Sequence, residues 1–132
     1  MKYLLMIYSS NPRTWGHPIF LHTDEALAMS ESERDQTSGE LAALVDEIRA
    51  SGELVDVQAL ADPVTSRTVK VRDGEPVVTD GPYVESKEQM AGIFTVDCAT
   101  PERAWEIASR FPDARLSAVE VRPVMGSSAE EM

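Results

Sequence analysis

An unbroken apolar run near the start of the chain, Tyr3 to Tyr8, constrains the fold more than any other segment. Successive side chains of a strand point to opposite faces, so the sequence YLLMIY is apolar on both faces. Such a strand must be covered on both sides, by other elements of its own chain or at a subunit interface. The run therefore predicts a central strand of a sheet.

Helical and strand patterns alternate after this run. A first long helix begins at Ser30, which matches a capping box, and Gly52 stands where a helix C-terminal glycine is expected. A second helix begins at Thr100 with Pro101 in its first turn and ends at 111–112. Its inner face is predicted to hold Ala104, Trp105, Ile107, Ala108 and Phe111. The further strands are predicted at 53–60, 67–72, 75–79, 90–97 and 116–122, with Asp73-Gly74 as the tight turn of a hairpin.

The order strand, helix, strand, hairpin, strand, helix, strand is a split β-α-β pattern with an inserted hairpin. It predicts a ferredoxin-like α+β fold with both helices on one face of the sheet. The other face needs cover, commonly from a second copy, so a homodimer is expected. We expect one domain over residues 1–125 and a frayed polar tail over 126–132.

Composition narrows the classes of partner and compartment. Lys and Arg total 12 against 23 Asp and Glu, and a net charge of -11 argues against binding to nucleic acid. The longest apolar run is far shorter than the roughly 20 residues that cross a bilayer, and no signal-peptide pattern follows Met1, so a cytoplasmic protein without membrane contact is expected.

The lone Cys98 is predicted to be a small buried apolar residue. No phosphate-binding glycine loop or dinucleotide fingerprint occurs, so no cofactor is predicted.

The nine residues 80–88, DGPYVESKE, resemble the DGPF motif of the YCII-related family. Residues 1–8, 69–74, 92–94 and 119–124 are also similar to that family. The resemblance covers residues from about 1 to 125 and implies a ferredoxin-like domain that forms a dimeric α+β barrel.

The resemblance also implies small-molecule chemistry. The broader YCII group resembles muconolactone isomerase and includes a dehalogenase in which a His and an Asp are thought to act as general acid and base. In this chain the position of that histidine falls around Gln36 or Thr37, and that of the aspartate is taken by Phe111, so the pair is missing. Many DGPF-type members are encoded beside extracytoplasmic-function sigma factors, which implies an association with such a factor.

Both histidines lie in the long connection after the first strand. His17 or His22 could serve as a general base in a cleft, with Asp24 orienting His22, or both could be solvated or packed loop residues. Their spacing matches no specific ligand pattern, so no metal is predicted.

The predicted substrate-binding residues are Tyr8, Trp15, Tyr83, Lys87 and Glu88. Tyr8, Trp15 and Phe20 could form an aromatic wall for a planar ligand, although aromatic residues next to a sheet more often belong to the core. Tyr83 replaces the Phe of the motif, and with Lys87 and Glu88 it could shape the mouth of the cleft. A Lys between two Glu residues is more often part of a solvated ion-pair cluster.

The motif Asp80-Gly81-Pro82 has a structural interpretation as a turn. Arg115 and Arg122 could clamp an anion, but surface charge is the simpler interpretation.

Two hypotheses of function follow from these residues. The first is a cofactor-independent enzyme that isomerises, cyclises or eliminates by proton transfer on a small cyclic or aromatic metabolite, with His22 or His17 as base. The second is a non-catalytic ligand-binding or regulatory module associated with a sigma factor. The connection with its histidines and aromatic residues favours the first, and the missing His–Asp pair favours the second.

Overall fold

The body of the protein is a four-stranded antiparallel sheet with helices packed on it. The computed structural model describes residues 1–9, 15, 24–83 and 88–126. The elements in chain order are β1 (Lys2–Ser9), α1 (Asp24–Leu27), α2 (Glu31–Ala50), β2 (Leu54–Ala59), a short 3-10 turn (Pro63–Thr65), β3 (Arg67–Arg72), β4 (Glu75–Asp80), β5 (Gln89–Asp97), α3 (Pro101–Ser109), α4 (Pro112–Leu116) and β6 (Val119–Pro123).

The strand order of the sheet is β2-β5-β1-β6, and β3 and β4 form a separate two-stranded sheet. Strand β1 pairs antiparallel with β5 on one side and with β6 on the other. The prediction of a central first strand is therefore confirmed. The element order and the antiparallel sheet also confirm the ferredoxin-like α+β fold class.

The main core lies between the sheet and the helices. Tyr3, Leu5 and Ile7 of β1 face this core, and each is almost fully buried. The rings of Phe94 and Phe111 meet edge to face, with centroids 4.7 Å apart. The remaining buried members are Leu44, Ile48, Val96, Cys98, Ala104, Ile107 and Ala108. Burial of Cys98 confirms its predicted role as a small core residue.

The second helical region differs from its prediction in two ways. Trp105 is 56% exposed, so its predicted place on the inner face of α3 is wrong. The small Ala104 and Ala108 with Ile107 fill that face, and residue 105 points away from it. The chain also re-enters a helix at Pro112 instead of passing straight into the last strand, because proline suits a first helical turn.

A paired charge joins α3 to the segment before β2. Arg103 donates from Nε to Oε2 of Glu53 at 2.8 Å and from Nη2 to Oε1 at 2.9 Å, which is a bidentate arrangement. The hydroxyl of Ser51 donates to the same carboxylate at 2.7 Å. The hydrogen bonds from Arg103 lower the pKa of Glu53 to about 2, against the opposing effect of burial.

We expect Glu53→Gln to lower the free energy of unfolding at neutral pH by about 1–3 kcal/mol. Because the pKa of Glu53 is lower in the folded protein than in the unfolded chain, its contribution is present above the unfolded value of 4.5 and is lost as the pH falls toward 2. Urea unfolding of both proteins at several pH values checks this.

The matched control is Glu106→Gln, which removes an exposed partner of the same Arg103 and is expected to cost less than about 0.5 kcal/mol. An equal effect of the two substitutions would contradict the role given to the bidentate pair.

Candidate functional site

The candidate site lies at the end of the sheet where β1 finishes and β5 and β6 begin. The register pairs Tyr8 with Met90 and Ile7 with Val119. It shifts between Ile7 and Tyr8, so a bulge interrupts the pairing with β5 just before Tyr8. Bulges re-aim side chains and are frequent beside active sites.

Three polar side chains meet on the face of the sheet opposite the helices. The hydroxyl of Tyr8 donates to Oε1 of Glu120 at 3.5 Å, and Nη2 of Arg122 donates to Oε2 of the same carboxylate at 2.7 Å. The register supports this placement, since Met6 pairs with Glu120 and Leu4 with Arg122, whereas the odd-numbered residues of β1 face the core. We call Tyr8, Glu120 and Arg122 the sheet-end cluster.

Burial and negative charge raise the pKa of the Tyr8 hydroxyl. Desolvation is the largest cause, followed by the charge of Glu120 and by the hydrogen bond to it, and Glu88 adds a further contribution. The positive charge of Arg122 acts in the opposite direction. Tyr8 is therefore held in its protonated form, as a hydrogen-bond donor.

A cavity of about 330 Å³ lies between the end of β2 and the start of β5. Its described lining residues are Leu60, Ala61, Pro63, Thr65, Ser66, Gln89 and Met90. Met90 also faces Tyr8 across the β1–β5 pair, and the Cβ atoms of such cross-strand neighbours lie about 4.5–5.5 Å apart. The volume falls within the range typical of small-ligand pockets.

The motif turn is bonded to the wall of this cavity. Gly81 has a φ of 88°, which favours glycine, and its N–H donates to the carbonyl of Ser66 at 2.9 Å. The Gly81 carbonyl accepts the hydroxyl of Thr68 at 2.8 Å. The side chain of Asp80 pairs with Arg67 across the hairpin, with 3.2 Å between Oδ1 and Nε.

The predicted substrate-binding residues occupy two regions. Trp15 donates from Nε1 to the carbonyl of Leu60 at 3.0 Å, so its indole lies against a residue of the cavity wall. Tyr83 is 75% exposed and lies beneath the ammonium group of Lys70, 5.3 Å from the ring centre. Tyr83 is thus joined to the hairpin, while the charge of Glu88 acts on Tyr8.

The predicted catalytic residues His17 and His22, and Lys87, lie outside the described residues. Asp24 is the first residue of α1, and its side chain is likewise outside the description. Within the described ranges no group of His, Cys, Asp or Glu side chains is arranged to hold a metal ion. No described helix combines the length and apolar character needed to cross a membrane.

The sequence analysis missed Glu120. The alternation of β6 places Glu120 and Arg122 on one strand face, and that spacing is visible in the sequence. The opposition of Tyr8 to Glu120 is not visible there, because 112 positions separate the two residues.

Asp113 is a second group with a perturbed pKa, and it lies elsewhere. It belongs to α4, which contacts α2 and α3 in the helix layer, and it is 5% exposed. Burial raises the pKa of this carboxyl to about 6.

The fold and the sheet end define a ferredoxin-like α+β protein with a tyrosine–carboxylate–arginine cluster and a cavity of small-ligand size, one of whose lining residues, Met90, pairs with Tyr8. The YCII-related domain family matches residues 1–128, and the chain belongs to that family. It is 30% identical over 112 residues to an uncharacterized protein of Rhizobium meliloti (strain 1021), covering 82% of this chain and 90% of that protein.

We expect the pKa of Tyr8 to fall in Glu120→Gln, since this change removes a negative charge from its hydrogen-bond partner. In Arg122→Gln the same pKa is expected to rise further. Ultraviolet titration of phenolate formation measures both, with Tyr8→Phe identifying the contribution of Tyr8 among the three tyrosines. Shifts in the same direction would contradict the charge arrangement.

We expect Asp113→Asn to stabilise the protein at pH above 7 by about 1–3 kcal/mol. The folded pKa of Asp113 lies above the unfolded value of 3.8, so its effect on stability is favourable at low pH and is lost as the pH rises through about 6. The gain should therefore shrink toward pH 4. Chemical unfolding across this pH range checks the difference, and Asp35→Asn, at an exposed position of α2, controls for the change in net charge.

Proposed function

We propose that the protein is a cofactor-independent enzyme that binds a small cyclic or aromatic metabolite in the cavity and moves a proton on it, in an isomerisation, cyclisation or elimination. The observation that carries this proposal is the pairing of Tyr8, which belongs to the hydrogen-bonded series Tyr8–Glu120–Arg122, with Met90, which lines the cavity of about 330 Å³. Membership of the YCII-related family is compatible with it.

The members of the sheet-end cluster have complementary chemical properties. Glu120 supplies carboxyl oxygens that can accept a proton, and one of them accepts a hydrogen bond from Arg122. Tyr8 keeps its proton and can donate a hydrogen bond to an oxygen that becomes negative during the reaction. Arg122 offers further donors to the same oxygen.

His17 and His22 remain proposed bases, with Asp24 as the residue that orients His22. The contact of Trp15 with Leu60 supports this, because Trp15 belongs to the same connection as both histidines and lies against the cavity wall.

The proposal includes a homodimer. Helices cover one face of the sheet, while Leu4, Met6 and Ile93 of the two central strands belong to the other. A second copy packed on that face would enclose the sheet-end cluster and exclude water, which strengthens its electrostatic interactions.

The first experiment is a thermal-shift and native mass-spectrometry screen of cyclic and aromatic metabolites. A ligand is expected to raise the melting temperature of the wild-type protein by several degrees. Turnover of that ligand should fall by at least about 100-fold in Glu120→Gln, because the proton acceptor is lost. Glu75→Gln, the same change at the exposed tip of the hairpin, should leave turnover unchanged.

The other variants separate the remaining alternatives. Loss of turnover in the His17→Ala, His22→Ala double variant, with Glu120→Gln active, would assign the base to the histidines. Binding without turnover of any ligand would support the alternative function, a ligand-binding or regulatory module associated with a sigma factor. If no ligand binds, the proposed enzyme is excluded.

A further inference from the structure

Ser66 lies where the wall of the cavity meets the motif turn. It is one of the residues that line the cavity of about 330 Å³, and it is half-buried. Its backbone N–H donates to the carbonyl of Pro63 at 2.9 Å, and its carbonyl accepts the N–H of Gly81 at 2.9 Å. The same carbonyl accepts a second hydrogen bond, from Nη1 of Arg67 at 2.8 Å. Ser66 is therefore held in place through both of its backbone polar groups.

Both donors to the Ser66 carbonyl depend on the motif Asp80-Gly81-Pro82. Gly81 donates from a backbone with a φ of 88°, which is strained for a residue with a side chain. The guanidinium of Arg67 is paired with Asp80, with 3.2 Å between Nε and Oδ1. The glycine of the motif thus acts directly, and the aspartate through Arg67, on the carbonyl of one cavity residue.

The side chain of Ser66 brings a hydroxyl group to this part of the cavity. Two of the described lining residues carry a hydroxyl, Thr65 and Ser66. The proton of the first is engaged, since the hydroxyl of Thr65 donates to the carbonyl of Asp62 at 2.7 Å. The hydroxyl of Ser66 makes no hydrogen bond within the part of the chain that the structure describes. A serine hydroxyl has one donor and two acceptor sites, so Ser66 can bond to an oxygen of a molecule in the cavity.

The rest of the lining indicates what kind of molecule fits beside this hydroxyl. The apolar residues of the described wall are Leu60, Ala61, Pro63 and Met90. Gln89 adds an uncharged amide. Apolar walls with a few placed polar groups are typical of sites for small organic ligands. The described lining therefore matches an apolar ring that carries an uncharged oxygen, with the ring against the apolar residues and the oxygen at Ser66.

From these observations we propose that Ser66 binds an uncharged carbonyl or hydroxyl oxygen of a cyclic substrate, and that the motif positions Ser66 for this contact. The inference rests on the proposed function and narrows the substrate class within it. Ser66 is the residue that touches the substrate. Arg67, Asp80 and Gly81 are positioning residues, because they act through the Ser66 carbonyl.

A matched pair of probes measures the contribution of the hydroxyl. The probes 4-methylphenol and 1,4-dimethylbenzene have nearly the same shape, and one carries a hydroxyl where the other carries a methyl group. Titration of the full chain, followed by the backbone amide NMR signals of Ala61, Thr65 and Met90, gives the dissociation constant of each probe. We expect Ser66→Ala to raise the constant of 4-methylphenol about fivefold, as the loss of one hydrogen bond does, and to leave that of 1,4-dimethylbenzene unchanged.

Three further variants serve as controls and test the positioning. Ser66→Thr keeps the hydroxyl and should bind 4-methylphenol as the wild type does, whereas Ser38→Ala, at an exposed position of α2, should change neither constant. Arg67→Gln is expected to weaken binding of 4-methylphenol about threefold, and to have no effect when residue 66 is already alanine. A merely structural role of Arg67 would instead weaken both probes, with or without the Ser66 hydroxyl.

The outcomes separate this inference from the proposed function. If Ser66→Ala weakens both probes equally or weakens neither, the role of Ser66 is overturned, while the proposed enzyme is still judged by its own metabolite screen. If neither probe binds the wild-type protein up to its limit of solubility, the assigned substrate class is overturned as well. An effect of Arg67→Gln on both probes would overturn the positioning by the motif.

Discussion

The structure depends on the double pairing of β1. This strand pairs with β5 over Lys2–Ser9 and with β6 over Tyr3–Ile7, and the helices pack on its odd-numbered residues from Tyr3 to Ile7. The same pairing brings Tyr8, at the end of the strand, next to Glu120 of β6. The core and the candidate site thus lie on the two faces of one strand, and a bulge interrupts the pairing of this strand with β5 just before Tyr8.

Features fixed by neighbouring residues could be predicted from the sequence. Ser30 accepts the amide of Glu33, Thr100 accepts that of Arg103, and Gly52 has positive φ after α2, as the local patterns indicated. The hairpin turn at Asp73-Gly74 is equally local. The bulge at Ile7 and the pair of Tyr8 with Glu120 could not be predicted in this way, because they depend on how strands from opposite ends of the chain align. The exposure of Trp105 likewise depends on how α3 packs against the sheet, which neighbouring residues do not determine.

Two carboxylates bound by arginine show how similar groups serve different purposes. The carboxylate of Glu53 accepts hydrogen bonds from two nitrogens of Arg103 and from the hydroxyl of Ser51. These bonds join α3 to the segment before β2. Glu120 shares one oxygen with Arg122 and the other with a longer contact to Tyr8. The first arrangement is suited to holding elements together, whereas in the second the contact between Tyr8 and Glu120, at 3.5 Å, is long for a hydrogen bond.

The topology also has a consequence for how the chain is made. The apolar strand β1 is synthesised before its sheet neighbours, which lie at 89–97 and 119–123. During translation the segment YLLMIY remains without its partner strands until residues 89–123 have emerged, and segments of this composition aggregate readily. Long-range pairing of this kind also slows folding. Expression yield and demand for chaperones should therefore be governed by this early strand more than by the exposed hairpin, whose two strands are adjacent in sequence and can pair as soon as they appear.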